Sequence, residues 1–280
     1  DQYRRPSIAR DDSGFLHVVG KYITSSNYYM RASRCGTADT PDTCTWTSVN
    51  LSSTSNTDTN VYGLVVPLGA SGRTQDMYAA WIAGTAIQGA RWDNSDSQWE
   101  NTSGQLVPTN AADAIDTGLN SQNGSRYNMS AVVDSNFDVH LIFIDANTDV
   151  LYRMFDESVP SWGSASTIAT GSFRYPTISR DSTTGNLYAI YMDESDNSVD
   201  YATYTGSWGS PTANWNTTTN GNFVTSNYQA PDRIFAHWSE SVSGDYGNVD
   251  WAYIIVPEYI LPLTIIPMAF FLKKWKLHRF

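Results

Sequence analysis

Residues 174–193 read RYPTISRDSTTGNLYAIYMD, and this stretch decides the fold. Apolar and polar side chains alternate on both sides of a turn that contains Asp and Gly. Two alternating runs around a short polar turn are typical of a β-hairpin. Residues 4–22 (RRPSIARDDSGFLHVVGKY) and 126–145 (RYNMSAVVDSNFDVHLIFID) follow the same design, so the hairpin is a repeat.

Two weaker copies at residues 61–84 and 223–241 extend the repeat along the chain. Equivalent positions in the second strand of each hairpin are His17, Tyr78, His140, Tyr188 and Phe235. A third β-like run follows each hairpin, and the first four units add a run centred on a tryptophan (Trp46, Trp99, Trp162 and Trp208). Four strands in about 50 residues is the size of a propeller blade.

The repeat therefore predicts an all-β fold, a β-propeller of four-stranded blades, over residues 1–254. About five blades are expected, at 1–55, 56–110, 120–170, 171–220 and an incomplete 221–254. One four-stranded sheet cannot cover both of its faces, so neighbouring blades bury each other's faces and the tryptophans are expected to pack between them.

The third and fourth runs of the first unit, YYMRASRCGTADTPDTCTWTSVNL at 28–51, carry a family resemblance. They resemble a degenerate Asp-box hairpin (Ser-x-Asp-x-Gly-x-Thr-Trp) of sialidase-like, BNR-repeat β-propellers, with the Asp-to-Gly centre replaced by a loop between two cysteines. The resemblance implies a propeller fold. It also implies, as an expectation, a glycoside hydrolase that binds a carboxylate through three arginines from different blades.

Three arginines match that expectation by position. Arg5, Arg126 and Arg174 occupy one repeat position just before the innermost strand. A guanidinium meets a carboxylate in two parallel hydrogen bonds, so these side chains are a candidate site for an anionic sugar. The alternative is that they are ordinary repeat residues that pair with acidic neighbours.

Regularly spaced acids fit the turns better than they fit catalysis. Asp12, Asp134 and Asp181 recur at the hairpin turn of their units. An active site needs different residues from different blades, whereas an Asp that recurs at a tight turn caps the backbone of that turn. We therefore expect a structural role for these three carboxylates.

A loop after one hairpin offers oxygen ligands at alternating positions, namely Asp145, Asn147 and Asp149. Calcium prefers carboxylate and amide oxygens, so no cofactor is expected except Ca²⁺ at this loop. The alternative is a solvated hairpin turn. His17 and His140 sit at equivalent strand positions and are interpreted as packing residues.

Aromatic residues give a second route to ligand binding. Tyr28, Tyr29, Trp92 and Trp215 lie near the ends of predicted strands. Aromatic rings at loop mouths bind the faces of sugars, but the same residues within strands pack against their neighbours. The sequence leaves both readings open.

Charge and cysteine content indicate an exported protein. The net charge is −11, with 28 acidic and 17 basic side chains, so the body repels nucleic acid. Cys35 and Cys44 have a spacing that suits either a disulfide across a hairpin loop or two free thiols, and a disulfide implies an oxidising exterior. Five Asn-x-Ser/Thr sequons are candidate glycosylation sites, at Asn50, Asn101, Asn123, Asn128 and Asn216.

Residues 255–280 differ from the rest of the chain. An uncharged run at 259–272 precedes four basic side chains, Lys273, Lys274, Lys276 and Arg279. The run predicts a transmembrane helix whose basic end stays in the cytoplasm, and a buried C-terminal strand or helix is the alternative. The stretch VPEYILP, with Val256, Pro257 and Pro262, resembles the Val-Pro-x-x-x-Pro motif of archaeal C-terminal sorting signals. That resemblance implies a sorting peptidase, an archaeosortase, as a partner, with a permanent membrane anchor as the alternative.

The sequence thus predicts a propeller held at the extracellular face of a membrane by its C-terminal segment. Binding is the favoured role: adhesion, recognition of a glycan or surface protein, or a place in a surface layer. The alternatives are a sialidase-like surface glycoside hydrolase and a structural subunit of an extracellular array or filament.

Overall fold

The computed structural model describes residues 2–24, 28–36, 43–52, 63–68, 76–119, 128–217, 221–225, 229–230, 233–240 and 249–255. These residues form twenty-two β-strands and no α-helix. The strands assemble into antiparallel sheets that follow one another along the chain. The prediction of an all-β fold built from four-stranded sheets is confirmed.

The first two sheets come from the N-terminal third of the chain. The first sheet has the order β1(Gln2–Arg10), β2(Leu16–Ile23), β3(Tyr28–Cys35), β4(Trp46–Asn50). The second has the order β5(Gly63–Pro67), β6(Met77–Ala83), β7(Ala86–Asp93), β8(Gln98–Glu100), and β9(Asp113–Asp116) also pairs with β7. This sheet therefore continues past residue 110, where the sequence pattern ended the blade.

Three more sheets follow. The third contains β10(Met129–Val133), β11(Val139–Ile144), β12(Val150–Asp156), β13(Ser161–Trp162) and β14(Ser166–Ala169). The fourth contains β15(Phe173–Arg180), β16(Leu187–Asp193), β17(Ser198–Tyr204) and β18(Thr212–Thr217). In the fifth, β21(Arg233–Glu240) pairs with β19(Gly221–Thr225), β20(Gln229–Ala230) and β22(Val249–Ile255).

An aspartate caps the first hairpin turn of three sheets. In the first sheet, the Asp11 carboxylate accepts hydrogen bonds from the N–H groups of Ser13 and Phe15. The bond from the N–H two residues later recurs at Asp134 and Asp181. The turn role expected for these two residues is confirmed, but the choice of Asp12 was wrong. Two adjacent aspartates, Asp11 and Asp12, fit the turn pattern equally well, and the buried Asp11 is the one that makes the bonds.

Each sheet packs face to face on the next. Within the described residues, apolar clusters join the first sheet to the second, the second to the third, the third to the fourth and the fourth to the fifth. Side chains alternate between the two faces of a strand. Residues an even number of positions from the repeat position therefore pack on one neighbouring sheet, and residues an odd number away pack on the other. The repeat positions His17, Tyr78, His140 and Tyr188 are all buried.

A disulfide joins Cys35 at the end of β3 to Cys44, as the cysteine spacing allowed. The N–H of Gly36 donates to the carbonyl of Thr45 beside it, so the entry to β4 is held in two ways. Residues 256–280, which include the predicted membrane helix and the Val256, Pro257 and Pro262 motif, lie outside the described residues. In the described part of the chain, no helix is long and apolar enough to span a bilayer.

Candidate functional site: a cavity between the first and second sheets

A cavity of about 290 Å³ opens between the outer strands of the first and second sheets. Strands β3 and β4 form one wall, and β7, β8 and the segment after β8 form the other. The residues that line it include Arg34, Thr47, Trp92, Gln98 and Trp99. Ligand sites in proteins span about 300 to 1,000 Å³, so this cavity has room for one small ring rather than for a long chain.

Two tryptophans form the apolar wall. Trp92 in β7 lies directly opposite Trp99 in β8, and their rings meet edge to face with centroids 5.9 Å apart. Both indoles are buried, with exposed fractions of 9% and 3%. The indole N–H of Trp92 nevertheless finds no hydrogen-bond partner among the described residues.

Arg34 supplies a positive charge at the same cavity. Its guanidinium lies 4.0 Å from the centroid of the Phe15 ring and 5.6 Å from that of Trp92. Burial lowers the pKa of Arg34 from its ordinary value, and the Asp11 carboxylate opposes that shift. Arginine is always protonated in proteins, so the cavity holds a cation stacked between aromatic rings.

A buried histidine contacts the tryptophan wall of the cavity. His17 lies opposite Arg34 across the β2–β3 ladder, and its Nε2 is 3.2 Å from Asp11 Oδ2. Its ring meets Trp92 edge on, with centroids 6.0 Å apart. Burial lowers the pKa of His17 to about 4, although Asp11 acts in the opposite direction. His17 is therefore neutral at pH 7 and fixes the position of Trp92.

The same Asp and His pairing recurs in the third sheet, which favours a structural role for it. His140 Nε2 lies 3.5 Å from Asp134 Oδ2, and His140 Nδ1 is 2.7 Å from the Tyr152 hydroxyl. The spacing of six residues equals that of Asp11 and His17. The interpretation of both histidines as packing residues is confirmed by their exposed fractions of 1% and 3%.

The aromatic residues that the sequence offered as ligand-binding candidates lie in different environments. Trp92 lines the cavity, whereas Tyr28 lies under the ammonium of Lys21 at 4.1 Å and Trp215 packs edge on against Tyr201. Arg34 was missed by the sequence analysis. The sequence feature that could have identified Arg34 is its position beside Cys35, in the unit whose outer loop is closed by the disulfide.

The predicted arginine site is not assembled in the described part of the chain. Arg126 lies outside the described residues, as does the side chain of Arg5. Arg174 forms an ion pair with Glu194. This ion pair fits the alternative interpretation of Arg174, in which the arginine pairs with an acidic neighbour. An anion site at Arg5, Arg126 and Arg174 stays a prediction.

The predicted calcium loop forms a tight turn. Asp145 Oδ1 accepts the N–H groups of Asn147 and Asp149, and Asp149 Oδ1 accepts the N–H of Gly171. Among the described residues, no three His, Cys, Asp or Glu side chains converge as metal ligands. These carboxylates hold backbone donors, and a Ca²⁺ ion at this loop stays a prediction.

The sequons differ in exposure. Asn128 is 2% exposed, and a bulky glycan needs an exposed side chain, so its burial argues against this acceptor. The amide of Asn101 holds its own turn, because its oxygen accepts the N–H groups of Ser103 and Gln105. Asn50 and Asn216 are half-buried in β4 and β18. Asn123 lies outside the described residues.

No family model and no curated protein matches this sequence. The chain is similar to solved structures at low sequence identity. A Hadza microbial sialidase is 12% identical with a TM-score of 0.52, covering 85% of this chain and 53% of its own. The fold is a β-propeller. This chain thus spans about half the length of that sialidase.

Two further solved structures are matched over a larger share of both chains. A protein of unknown function from Dyadobacter fermentans is 11% identical with a TM-score of 0.57, covering 91% of this chain and 79% of its own. The Aleuria aurantia lectin, a mutant in complex with Fucα1-6GlcNAc, is 14% identical with a TM-score of 0.54, covering 90% and 78%. At these identities the likeness establishes the sialidase-like propeller fold.

Proposed function

We propose that this propeller binds a saccharide and that the cavity between the first and second sheets is the binding site. The observation that carries the proposal is the pair of indole rings, Trp92 and Trp99, that line the cavity beside the guanidinium of Arg34. Propeller neighbours that include a sialidase and a lectin in complex with a disaccharide are consistent with this class of ligand.

The chemistry of the walls suits a sugar ring. A pyranose has apolar C–H faces and a rim of hydroxyl groups, and aromatic side chains present apolar area with a polar edge. Trp92 and Trp99 offer that area. The guanidinium of Arg34 and the amide of Gln98 can donate hydrogen bonds to hydroxyl oxygens. The volume limits the site to about one residue at the end of a glycan.

Binding is favoured over hydrolysis at this cavity. Glycoside hydrolysis uses two carboxyl groups that flank the scissile bond. None of the described residues that line the cavity is Asp or Glu. The nearby Glu100 is tied to Gln98, whose amide N–H₂ donates to it at 2.7 Å. A site with aromatic walls, a cation and no paired acids recognises a sugar without cleaving it.

A glycan array probed with the full chain tests the proposal, followed by calorimetry on the best ligand. Trp92→Phe keeps a ring but reduces its apolar area, and the loss of about 0.5–1.5 kcal/mol of aromatic contact predicts affinity about 2- to 10-fold weaker. Arg34→Met removes a charged donor and predicts a loss of about 10- to 100-fold. Trp208→Phe is the matched control, because Trp208 is a repeat tryptophan that does not line the cavity.

Two outcomes count against the site. Equal affinity of the wild type and both cavity variants places binding elsewhere on the propeller. Release of free sugar from a bound glycoside by the wild type, and not by an Asp or Glu variant, reassigns the protein as a hydrolase.

We also propose that residues 256–280 attach the propeller to the outer face of a membrane. The support is the order of three sequence features: the Val256, Pro257 and Pro262 motif, the uncharged run at 259–272 and the basic end. Mass spectrometry of protein purified from membranes tests whether a sorting peptidase removes the segment. An intact Phe280 in that protein contradicts processing and leaves a permanent anchor.

A further inference from the structure

Two arginines hold the same place in consecutive sheets. Arg34 lies opposite the repeat residue His17 across the β2–β3 ladder, and Arg91 lies opposite the repeat residue Tyr78 across the β6–β7 ladder. Residues directly opposite each other project to the same face of a sheet. His17 and Tyr78 both contact the sheet that follows their own, so both arginines point toward that following sheet.

Carboxylates surround Arg91. Its guanidinium nitrogens lie 3.2 Å from Asp93, 3.9 Å from Glu100 and 3.8 Å from Glu157. Asp93 and Glu100 belong to the second sheet, whereas Glu157 comes from the turn after β12 in the third. The chain therefore supplies carboxylates of its own to the arginine at this interface.

The equivalent positions in the first sheet carry no charge. Thr47 is the equivalent of Glu100, because each lies opposite its arginine on the next strand. Gly36 is the equivalent of Asp93, because each lies two residues after its arginine. Thr47 and Gly36 both line the cavity. The space that two carboxylates occupy in the second sheet is thus part of the cavity in the first.

The carboxylate from the following sheet is replaced as well. Asn94 is the equivalent of Glu157, since the N–H of Asn94 donates to Asp76 Oδ1 as the N–H of Glu157 donates to Asp138 Oδ1. Asparagine is neutral, so this position also brings no negative charge to the interface between the first and second sheets.

Asp11 is a carboxylate that acts on Arg34 from the same sheet. It accepts the N–H groups of Ser13 and Phe15, and its Oδ2 lies 3.2 Å from His17 Nε2. Asp11 is 3% exposed and does not line the cavity. Its charge is held at the first hairpin turn, and none of the described residues that line the cavity is acidic.

We infer that the ligand of this cavity is an acidic saccharide, a terminal hexuronic acid, whose carboxylate takes the place beside Arg34 that Glu100 and Asp93 take beside Arg91. This inference rests on the saccharide binding proposed above and names its ligand class. The chain itself uses carboxylates at the equivalent positions, which favours a carboxylate as the anion.

The energetics and the volume agree with this ligand. A carboxylate beside a guanidinium forms charge-assisted hydrogen bonds, which are about twice as strong as neutral ones. Burial lowers the pKa of Arg34 because the cation has lost part of its hydration, and an anion beside it compensates for that loss. A cavity of about 290 Å³ has room for one ring, and a hexuronic acid carries its charge without the side arms of larger acidic sugars.

Calorimetry of the full chain with two glycosides is the primary test. Methyl glucuronoside and methyl glucoside differ at C6, where one has a carboxylate and the other a hydroxymethyl group. One hydrogen bond to a charged group predicts that the glucuronoside binds about 10- to 100-fold more tightly. The methyl glycoside of sialic acid, a larger acidic sugar, is expected to bind more weakly than the glucuronoside.

A pair of variants at position 47 places the charge. Thr47→Asp introduces a carboxylate opposite Arg34, and Thr47→Asn introduces a side chain of the same size without charge. Thr47 is exposed, and Asp and Asn are both poor strand formers, so the two variants have similar stability. Thr47→Asp is expected to abolish the preference for glucuronoside over glucoside. Thr47→Asn is expected to keep that preference to within about 3-fold.

A second pair repeats the test from the other wall. Asn94→Glu introduces a carboxylate at the equivalent of Glu157, and Asn94→Gln is its neutral control. The preference for the glucuronoside is expected to fall in Asn94→Glu and to remain in Asn94→Gln.

The outcomes separate this inference from saccharide binding in general. A wild-type chain that binds the glucoside as tightly as the glucuronoside, or that prefers sialic acid, overturns the acidic ligand proposed here and leaves saccharide binding in place. A Thr47→Asp chain that keeps the full preference also overturns it, because the ligand carboxylate then lies away from Arg34. Binding of no glycoside and of no glycan on the array contradicts the proposed function, and this inference with it.

Discussion

The interface between the first and second sheets and the one between the second and third carry different residues at the repeat position of the second strand, His17 and Tyr78. Tyr78 fills the later interface: it is fully buried, and its ring packs against Phe155 and Trp162 at 5.0 and 5.5 Å. In the earlier interface the equivalent residue is His17, a shorter side chain turned back to Asp11.

The hydrogen bonds show the consequence. The Tyr78 hydroxyl donates to Asp113 Oδ2 at 3.0 Å and accepts the indole N–H of Trp162 at 2.8 Å. Burial, with the Asp113 charge, raises the pKa of Tyr78, so the hydroxyl stays protonated. His17 makes no such bond across its interface, where Trp99 is the equivalent of Trp162 and Trp92 the equivalent of Phe155. Tyr78 fills the interface between the second and third sheets, whereas the interface between the first and second sheets keeps a cavity.

The largest expected effect is the loss of the closed interface. Tyr78→Ala removes a fully buried aromatic ring, which predicts a free energy of unfolding about 3–5 kcal/mol lower in urea titrations. Tyr78→Phe keeps the ring but leaves Asp113 and Trp162 without this partner, for a loss of about 1–3 kcal/mol. A loss below that of Tyr78→Phe in the Ala variant contradicts the packing described for this interface.

A pH effect of similar size separates the two repeat residues. His17 has a pKa of about 4 in the folded chain and an ordinary value of 6.5 when unfolded. Between these values the unfolded chain binds the proton and the folded chain does not. The neutral histidine therefore stabilises the fold above pH 6.5, and this contribution, on the order of 3 kcal/mol, is lost as the pH falls toward 4.

The measurement is the free energy of unfolding at pH 7 and pH 4.5 for the wild type and for His17→Gln. Carboxylates elsewhere titrate in both proteins, so the difference between the two slopes isolates His17. The wild type is expected to lose more stability than the variant over this interval. Parallel slopes show that His17 is not buried neutral.

The smallest change in stability is expected where the cavity is filled. Thr47 is exposed in β4 and lines the cavity. Thr47→Leu places apolar volume at the mouth of the cavity, and an exposed substitution of this kind changes stability by within about 0.5 kcal/mol. Saccharide binding is expected to be lost at unchanged thermal midpoint. Retention of full affinity by Thr47→Leu contradicts the assignment of the cavity as the site.

The hairpin strands could be predicted from the sequence because they depend on local alternation. The hairpins around Asp134 and Asp181, the repeat positions and the disulfide partner of Cys35 all follow from spacing along the chain. The choice of Asp12 over Asp11 failed because two adjacent aspartates fit the turn pattern equally well, and only the hydrogen bonds distinguish them.

The cavity could not be read from sequence in the same way. Trp99 was expected to pack between blades, and it is 3% exposed, whereas the sequence left Trp92 open between packing and ligand binding. Whether an indole N–H meets a hydroxyl, as in Trp162, depends on a residue about 80 positions away in another sheet. Sequence patterns do not show which residues from different sheets come into contact.

By itself, the sequence determined that this protein is built from repeated antiparallel sheets, because alternation and turn chemistry act over a few residues. Tertiary structure alone decided which interfaces close and which one leaves a cavity beside Arg34 and Trp92. The physical reason is that packing joins side chains from different repeats, and a small difference such as His17 in place of Tyr78 changes the volume that the two sheets share.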